Sequence, residues 1–236
     1  MSEIVLIHGA WGGSYGFKKL RPLLTAQGHQ VYTPSLTGIG ERSHLVNPWI
    51  TLETHIKDVV NTILYEDITD ILLLGFSYGG MVATGALEMI ADRVKHLVYL
   101  DAFVPGDGQS VTQITGRWAT ENSLDPGTTW LIPPVPREAE TLEDTQWFGS
   151  RRSMQPLGTF TQNVTLSKPL EDLPLSRTYI KATADESEKS NSHFWQSARH
   201  AQDSRNWKYF EIATNHLVAI NRPDELANIL LEIIGE

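Results

Sequence analysis

The chain has 236 residues, 41% of them apolar and 20% charged, which predicts one large buried core and excludes disorder as the dominant state. A formal net charge of -9 with no local Lys/Arg cluster argues against nucleic acid and anionic membranes as partners, and no run reaches the roughly 18 uninterrupted apolar residues of a membrane span. Cysteine is absent, which removes disulfides, thiolate metal sites and cysteine nucleophiles; strand-like sequence starts by Ile4 without a charged start and apolar leader, so the expected location is cytoplasmic.

Residues 3 to 7 (EIVLI) read as a strand buried on both faces, and they run into the loop His8-Gly9-Ala10-Trp11-Gly12-Gly13. That loop lacks the Lys-Ser/Thr of a Walker motif and does not match G-x-G-x-x-G, so a phosphate cradle is disfavoured. Further strands are expected at 30 to 33 (QVYT), 71 to 75 (ILLLG), 94 to 100 (VKHLVYL) and 177 to 183 (RTYIKAT), with WKYFEI strand-like after them. The clearest helix is TLETHIKDVVNTILYED, where Ile56, Val59, Val60, Ile63 and Leu64 mark one stripe and Thr51 is the expected N-cap. Strand and helix alternate, which predicts a doubly wound, mostly parallel α/β fold with a crevice at the carboxyl ends of the strands. The alternation fails between about Val104 and Leu175, where Pro and Gly are dense. Residues 105–175 therefore read as an inserted lid on a core of 1–104 and 176–236, closed by PDELANILLEII with Pro223 in its first turn.

Between a predicted strand and a predicted helix stands Gly75-Phe76-Ser77-Tyr78-Gly79, the G-x-S-x-G pattern in the context it requires. The turn strains the serine backbone, packs strand against helix closely, and presents Ser77 at a helix N-terminus. A serine hydroxyl needs a base and an orienting acid, expected in the order Ser, Asp/Glu, His. His216 lies on the loop before the last helix. Asp185 follows a predicted strand end and is preferred as the acid, with Asp101, at the end of the preceding strand, and Glu186 as rivals. The natural oxyanion donors are the backbone N–H groups of Ala10 and Tyr78, with Gly79 packing rather than donating. His8 reads as a loop anchor, and the other histidines as surface or packing residues. No HExxH spacing or carboxylate scaffold supports a metal, and no cofactor is expected.

With these residues in place the whole chain resembles the α/β-hydrolase superfamily, in the small-lid branch of plant methylesterases, hydroxynitrile lyases and bacterial carboxylesterases, some of which cleave pyrethroids. IVLIHGAWGGSYGFKKLRPLLTAQGHQVYTPSLTGIGER, GFSYGG, LVYLDAFVPGDG, ADES and NH carry the likeness. The resemblance implies the α/β-hydrolase fold, a Ser77–Asp185–His216 triad, and an oxyanion hole at Ala10 and Tyr78. Cyanogenic lyases of the branch carry a lysine after the histidine and a hydroxyl in the first loop; Leu217 and Ala10 stand here, which disfavours lyase chemistry. Ester hydrolysis is the expected activity, with a receptor-like binding protein, a lyase, or a peroxidase or acyltransferase using the same triad as alternatives. Trp11, Trp118, Trp130 and Trp147 are expected to wall the crevice around a small hydrophobic ester, although the lid aromatics could instead form a small core of their own. Arg42, Arg151 and Arg152 would favour an acidic substrate if their loops fold inward. Pairing into a homodimer through apolar lid surface is left open.

Overall fold

The structure, a computed structural model, describes residues 1–117, 130–184 and 192–235. The strands are β1 (Glu3–Ile7), β2 (Gln30–Tyr32), β3 (Ile71–Phe76), β4 (Val94–Leu100), β5 (Leu131–Ile132), β6 (Gln155–Pro156), β7 (Ser176–Ala182) and β8 (Trp207–Ile212). Six of them form one all-parallel sheet in the order β2-β1-β3-β4-β7-β8, and β5 and β6 make a separate antiparallel pair. The helices are α1 (Leu20–Ala26), α2 (Leu52–Tyr65), α3 (Gly79–Ile90), α4 (Val111–Thr115), α5 (Leu142–Gly149), α6 (Gly158–Thr161), α7 (His193–Asp203), α8 (Val218–Asn221) and α9 (Pro223–Ile234).

Because strand side chains alternate between faces, the apolar runs feed two cores at once. Val5, Ile7, Leu73, Leu97, Tyr99 and Tyr179 point to the side covered by α2, α3 and α7. Ile4, Leu6, Leu72, Leu74, Val98 and Ile180 point to the side covered by α1 and α9. Each such side chain, fully buried, contributes about 1.5–3 kcal/mol, so continuous apolar runs are what a two-sided sheet selects. Thr51 caps α2, its N–H donating to Thr54 Oγ1 at 3.2 Å. The stripe of α2 is rotated from the expected one: Leu64 is 42% exposed while His55 is wholly buried. At about 100° per residue Leu64 sits at the far edge of the stripe, and the opposite edge is occupied by His55, whose ring is satisfied by hydrogen bonds.

Between β4 and β7 the chain leaves the sheet and builds α4, the β5/β6 pair, α5 and α6 over the carboxyl ends of the strands. Ser110 caps α4 reciprocally with Gln113 at 3.2 and 2.8 Å. The return into β7 is fixed by buried Arg177, whose guanidinium donates to the carbonyls of Leu170, Leu173 and Leu175. Among the described residues no helix is long and apolar enough to cross a membrane.

Candidate active site

The run Leu72-Leu73-Leu74 ends because the chain must turn without side chains in the way. A Cβ on Gly75 would lie 2.6 Å from the Gly79 carbonyl oxygen, and one on Gly79 would lie 2.5 Å from that of Ile7. Only glycine permits that packing of β3 against α3 and β1. Ser77 itself sits at φ 56°, a conformation unfavourable for a residue with a Cβ. It is held there because its N–H donates to Leu100 O at 3.2 Å, while its carbonyl accepts from Gly80 at 3.1 Å and Phe103 at 3.2 Å.

Ser77 Oγ lies 2.9 Å from His216 Nε2, and His216 Nδ1 lies 2.6 Å from Asp101 Oδ2. A carboxylate only accepts, so Nδ1 carries the proton and Nε2 is free to accept the serine hydroxyl. The imidazole is stacked on Phe194 at 5.0 Å and tilted against Phe76 at 4.8 Å, which fixes its plane. Burial pushes the His216 pKa below its ordinary value, and the Arg137 and Lys181 charges push the same way, against the hydrogen bond to Asp101. Burial alone would raise the Asp101 carboxyl, but His216 and Lys181 together hold it below the usual range.

The other oxygen of Asp101 is taken by a lysine. Lys181 Nζ donates to Asp101 Oδ1 at 2.6 Å and to Ala182 O at 2.7 Å, and both members of the pair are 3% exposed. Each Asp101 oxygen therefore has one charged or chargeable donor, and the carboxylate cannot rotate without losing both.

The loop after β1 reaches the serine from the other side. Trp11 lies at φ 59°, and three groups of the insertion hold it. Buried Gln155 Oε1 accepts from the Trp11 N–H at 2.9 Å, Ile132 O accepts from the indole Nε1 at 3.0 Å, and the Ser153 N–H donates to Trp11 O at 3.0 Å. His8 anchors the base of the loop: its Nδ1 donates to Gly9 O at 2.9 Å and its Nε2 accepts from the Leu36 N–H at 3.1 Å. On the elbow side the Tyr78 ring is buried, its hydroxyl donating to His55 Nδ1 at 3.0 Å, because His55 Nε2 must donate to Thr37 O at 2.9 Å. Ala10, Ser77 and Tyr78 together line a cavity of about 380 Å³, whose further wall includes Phe76, Phe103, Phe148, Phe160, Phe194 and Leu217.

The alpha/beta hydrolase family model matches residues 4–229 of the chain. The chain belongs to this family. It is 34% identical to a carbendazim hydrolyzing esterase of Nocardioides sp. (strain SG-4G), over 98% of both chains. It is 26% identical to salicylic acid-binding protein 2 of Nicotiana tabacum, over 98% of this chain and 96% of that protein. An extracellular alpha/beta-hydrolase from a Paenibacillus species superposes with a TM-score of 0.83 at 26% identity, over 98% of both chains.

In this α/β hydrolase the serine, histidine, Ala10, Tyr78 and Trp11 meet at the cavity, whereas two of the tryptophans expected in its wall stand elsewhere. The carboxylate on His216 Nδ1 is Asp101, the second choice for the acid, while the preferred Asp185 lies with Glu186 outside the described residues. Sheet order is the reason: β4 lies directly beside β3, so a carboxylate one residue past its end stands next to the elbow. Trp147 does not wall the cavity; it packs edge-on against Tyr15 at 5.7 Å with Arg151 stacked at 4.8 Å, because α5 turns that face outward. Trp130 is likewise absent from the lining and takes part through its carbonyl, which accepts the Leu157 N–H at 2.7 Å, while Trp118 lies outside the described residues. Of the three arginines expected to bear on the site, only Arg152 lines the cavity. The sequence reading missed Phe194, Arg137 and Lys181. Lys181 alone left a signal, as a lysine between Ile180 and Ala182 near the end of a strand. Among the described residues no group of three or more His, Cys, Asp or Glu is placed to hold a metal ion.

Proposed function

We propose that this α/β hydrolase is a serine carboxylesterase that cleaves a small, largely apolar ester through an acyl-enzyme on Ser77. The observation that carries this reading is the unbroken relay of Ser77 Oγ, His216 and Asp101 at 2.9 and 2.6 Å, opening into an aromatic cavity. His216 Nε2 takes the serine proton as Oγ attacks the ester carbonyl carbon, and the charge that builds on the carbonyl oxygen is met by the backbone N–H groups of Ala10 and Tyr78. Collapse of the tetrahedral adduct breaks the C–O bond to the alcohol, which leaves with the proton from His216. Water then gives its proton to Nε2, attacks the acyl carbon and frees the acid and Ser77. Asp101 remains ionised throughout and stabilises the imidazolium. The phenyl rings of the wall suit an apolar acyl or alkoxy group, and the full-length esterase relative agrees with the reaction class.

The deciding experiment is pre-steady-state hydrolysis of p-nitrophenyl esters of increasing acyl length, wild type beside Ser77→Ala. A burst equal to the enzyme concentration that disappears in the variant is expected. Saturable binding without product would instead make the cavity a receptor site, and a burst surviving in Ser77→Ala would remove Ser77 from the reaction.

A further inference from the structure

The cavity wall that the insertion supplies is not only apolar. Arg137 and Arg152 both line it, together with Arg117, and no Asp or Glu stands among its described lining residues. In a chain of net charge -9 this is a local inversion of sign. Among the described residues neither Arg137 nor Arg152 pairs with a carboxylate. The Arg152 guanidinium lies between two ring faces, 5.4 Å from the Trp11 centroid and 5.5 Å from that of Phe148. One of its arms donates to the Val135 carbonyl, but its Nε is buried with no acceptor. Arg137 is near enough for its charge to act on both Arg152 and His216. Burial first, and then Arg137, push the Arg152 pKa down to about 10, so the side chain stays charged at neutral pH while poorly compensated.

Two half-buried, mutually repelling cations with no counter-ion among the described residues are costly unless something brings the charge with it. The triad does not need them, because Lys181 already satisfies Asp101 and backbone N–H groups face the oxyanion. A guanidinium at the cavity wall offers a carboxylate a charge-assisted hydrogen bond. Resting on the esterase reading, we infer that the cavity is shaped for an ester that carries a second, anionic group, a half-ester of an apolar dicarboxylic acid being the simplest form, with Arg137 and Arg152 as its carboxylate subsite. The apolar walls then hold the spacer between the reacting ester and the anion. The product of hydrolysis is a dianion, so the reaction that consumes it must accept a dicarboxylate.

The test compares monomethyl suberate with dimethyl suberate, in which the anion is replaced by a second methyl ester, the rate for the diester being halved for its two equivalent ester groups. A charge-assisted hydrogen bond corresponds to about a tenfold to hundredfold preference in kcat/KM for the half-ester. That preference should shrink when salt is raised from about 0.02 M to about 0.5 M, because part of it is Coulombic and screened. In Arg137→Gln and in Arg152→Gln the half-ester to diester ratio should each fall about tenfold. If the wild type cleaves the diester equally well or better, or if the ratio survives in both variants, the subsite does not exist. If neither ester is turned over, the esterase reading has failed instead, and titrating both esters into Ser77→Ala by calorimetry still reads the subsite: binding of the half-ester alone supports it, and equal or absent binding overturns it.

Discussion

The Lys181 ammonium works against the base it helps to build. By neutralising part of the Asp101 charge it weakens the stabilisation of the His216 imidazolium, yet it also fixes the carboxylate in the one rotamer that reaches Nδ1. Lys181 is therefore a positioning residue. In the proposed mechanism His216 accepts a proton from Ser77 only while neutral, so kcat/KM should fall as pH drops through the His216 pKa, which stands below the ordinary imidazole value. Removing a cation beside Asp101 raises that pKa, and in Lys181→Met the acidic limb of the kcat/KM profile should move to higher pH; an unmoved limb would leave the lysine a purely structural role. The variant should also lose about 3–5 kcal/mol of stability, since Asp101 keeps a buried charge with one partner fewer, so the profile is best recorded at low temperature. Asp101→Asn removes the group on His216 Nδ1 that fixes its tautomer, and kcat should fall about 10³- to 10⁴-fold. Asp185→Asn should leave kcat within a few-fold of the wild type. Reversal of those two results would restore Asp185 as the acid.

At the scale of elements, the central strands β1, β3 and β4 were legible because they are buried on both faces and so spell themselves as largely apolar runs, whereas the edge strands β2 and β8 are only partly buried and carry polar residues. The elbow was legible because contacts as close as 2.5 Å admit only glycine. What could not be read was which strand ends become neighbours. β4 and β7 are 75 residues apart along the chain yet hydrogen-bonded, and that adjacency alone brings Lys181 to Asp101. The insertion was also opaque, since its helices are short and are held by side chain to backbone bonds that leave no periodic trace. Gln155 is the best instance: a buried polar side chain at the edge of a two-residue strand that fastens the loop after β1, the proposed oxyanion loop. Replacing it by Leu leaves the Trp11 N–H without its acceptor and a strained φ of 59° without its brace. Ala10 should then drift as an oxyanion donor, so Gln155→Leu should lower kcat about tenfold to a hundredfold with KM little changed. A rise in KM at constant kcat would show that the loop binds the substrate ground state instead.

For the whole molecule, the site rests on three buried imidazoles that are neutral for the same reason. His8, His55 and His216 each use one ring nitrogen as an acceptor, from Leu36 N–H, Tyr78 O–H and Ser77 O–H respectively, and protonation would destroy that bond. Burial lowers all three pKa values, that of His55 to about 3. A group whose folded pKa lies below its unfolded value near 6.5 leaves stability unchanged above that pH, and stability falls as pH drops, because the unfolded chain then binds protons the folded one refuses. Asp101 adds nothing in this window: its pKa is lowered from an already acidic value, so its contribution is lost only at lower pH. For His55 alone the expected loss between pH 8 and pH 5 is about 2 kcal/mol, from about 1.4 kcal/mol per pH unit below 6.5. Urea unfolding at a series of pH values should therefore show stability falling toward pH 5 in the wild type. His55→Gln should be less stable at pH 8 but lose about 2 kcal/mol less between pH 8 and pH 5. Two curves running parallel would mean that His55 is already protonated in the folded protein, and the neutral tether between α2 and Tyr78 would have to be abandoned.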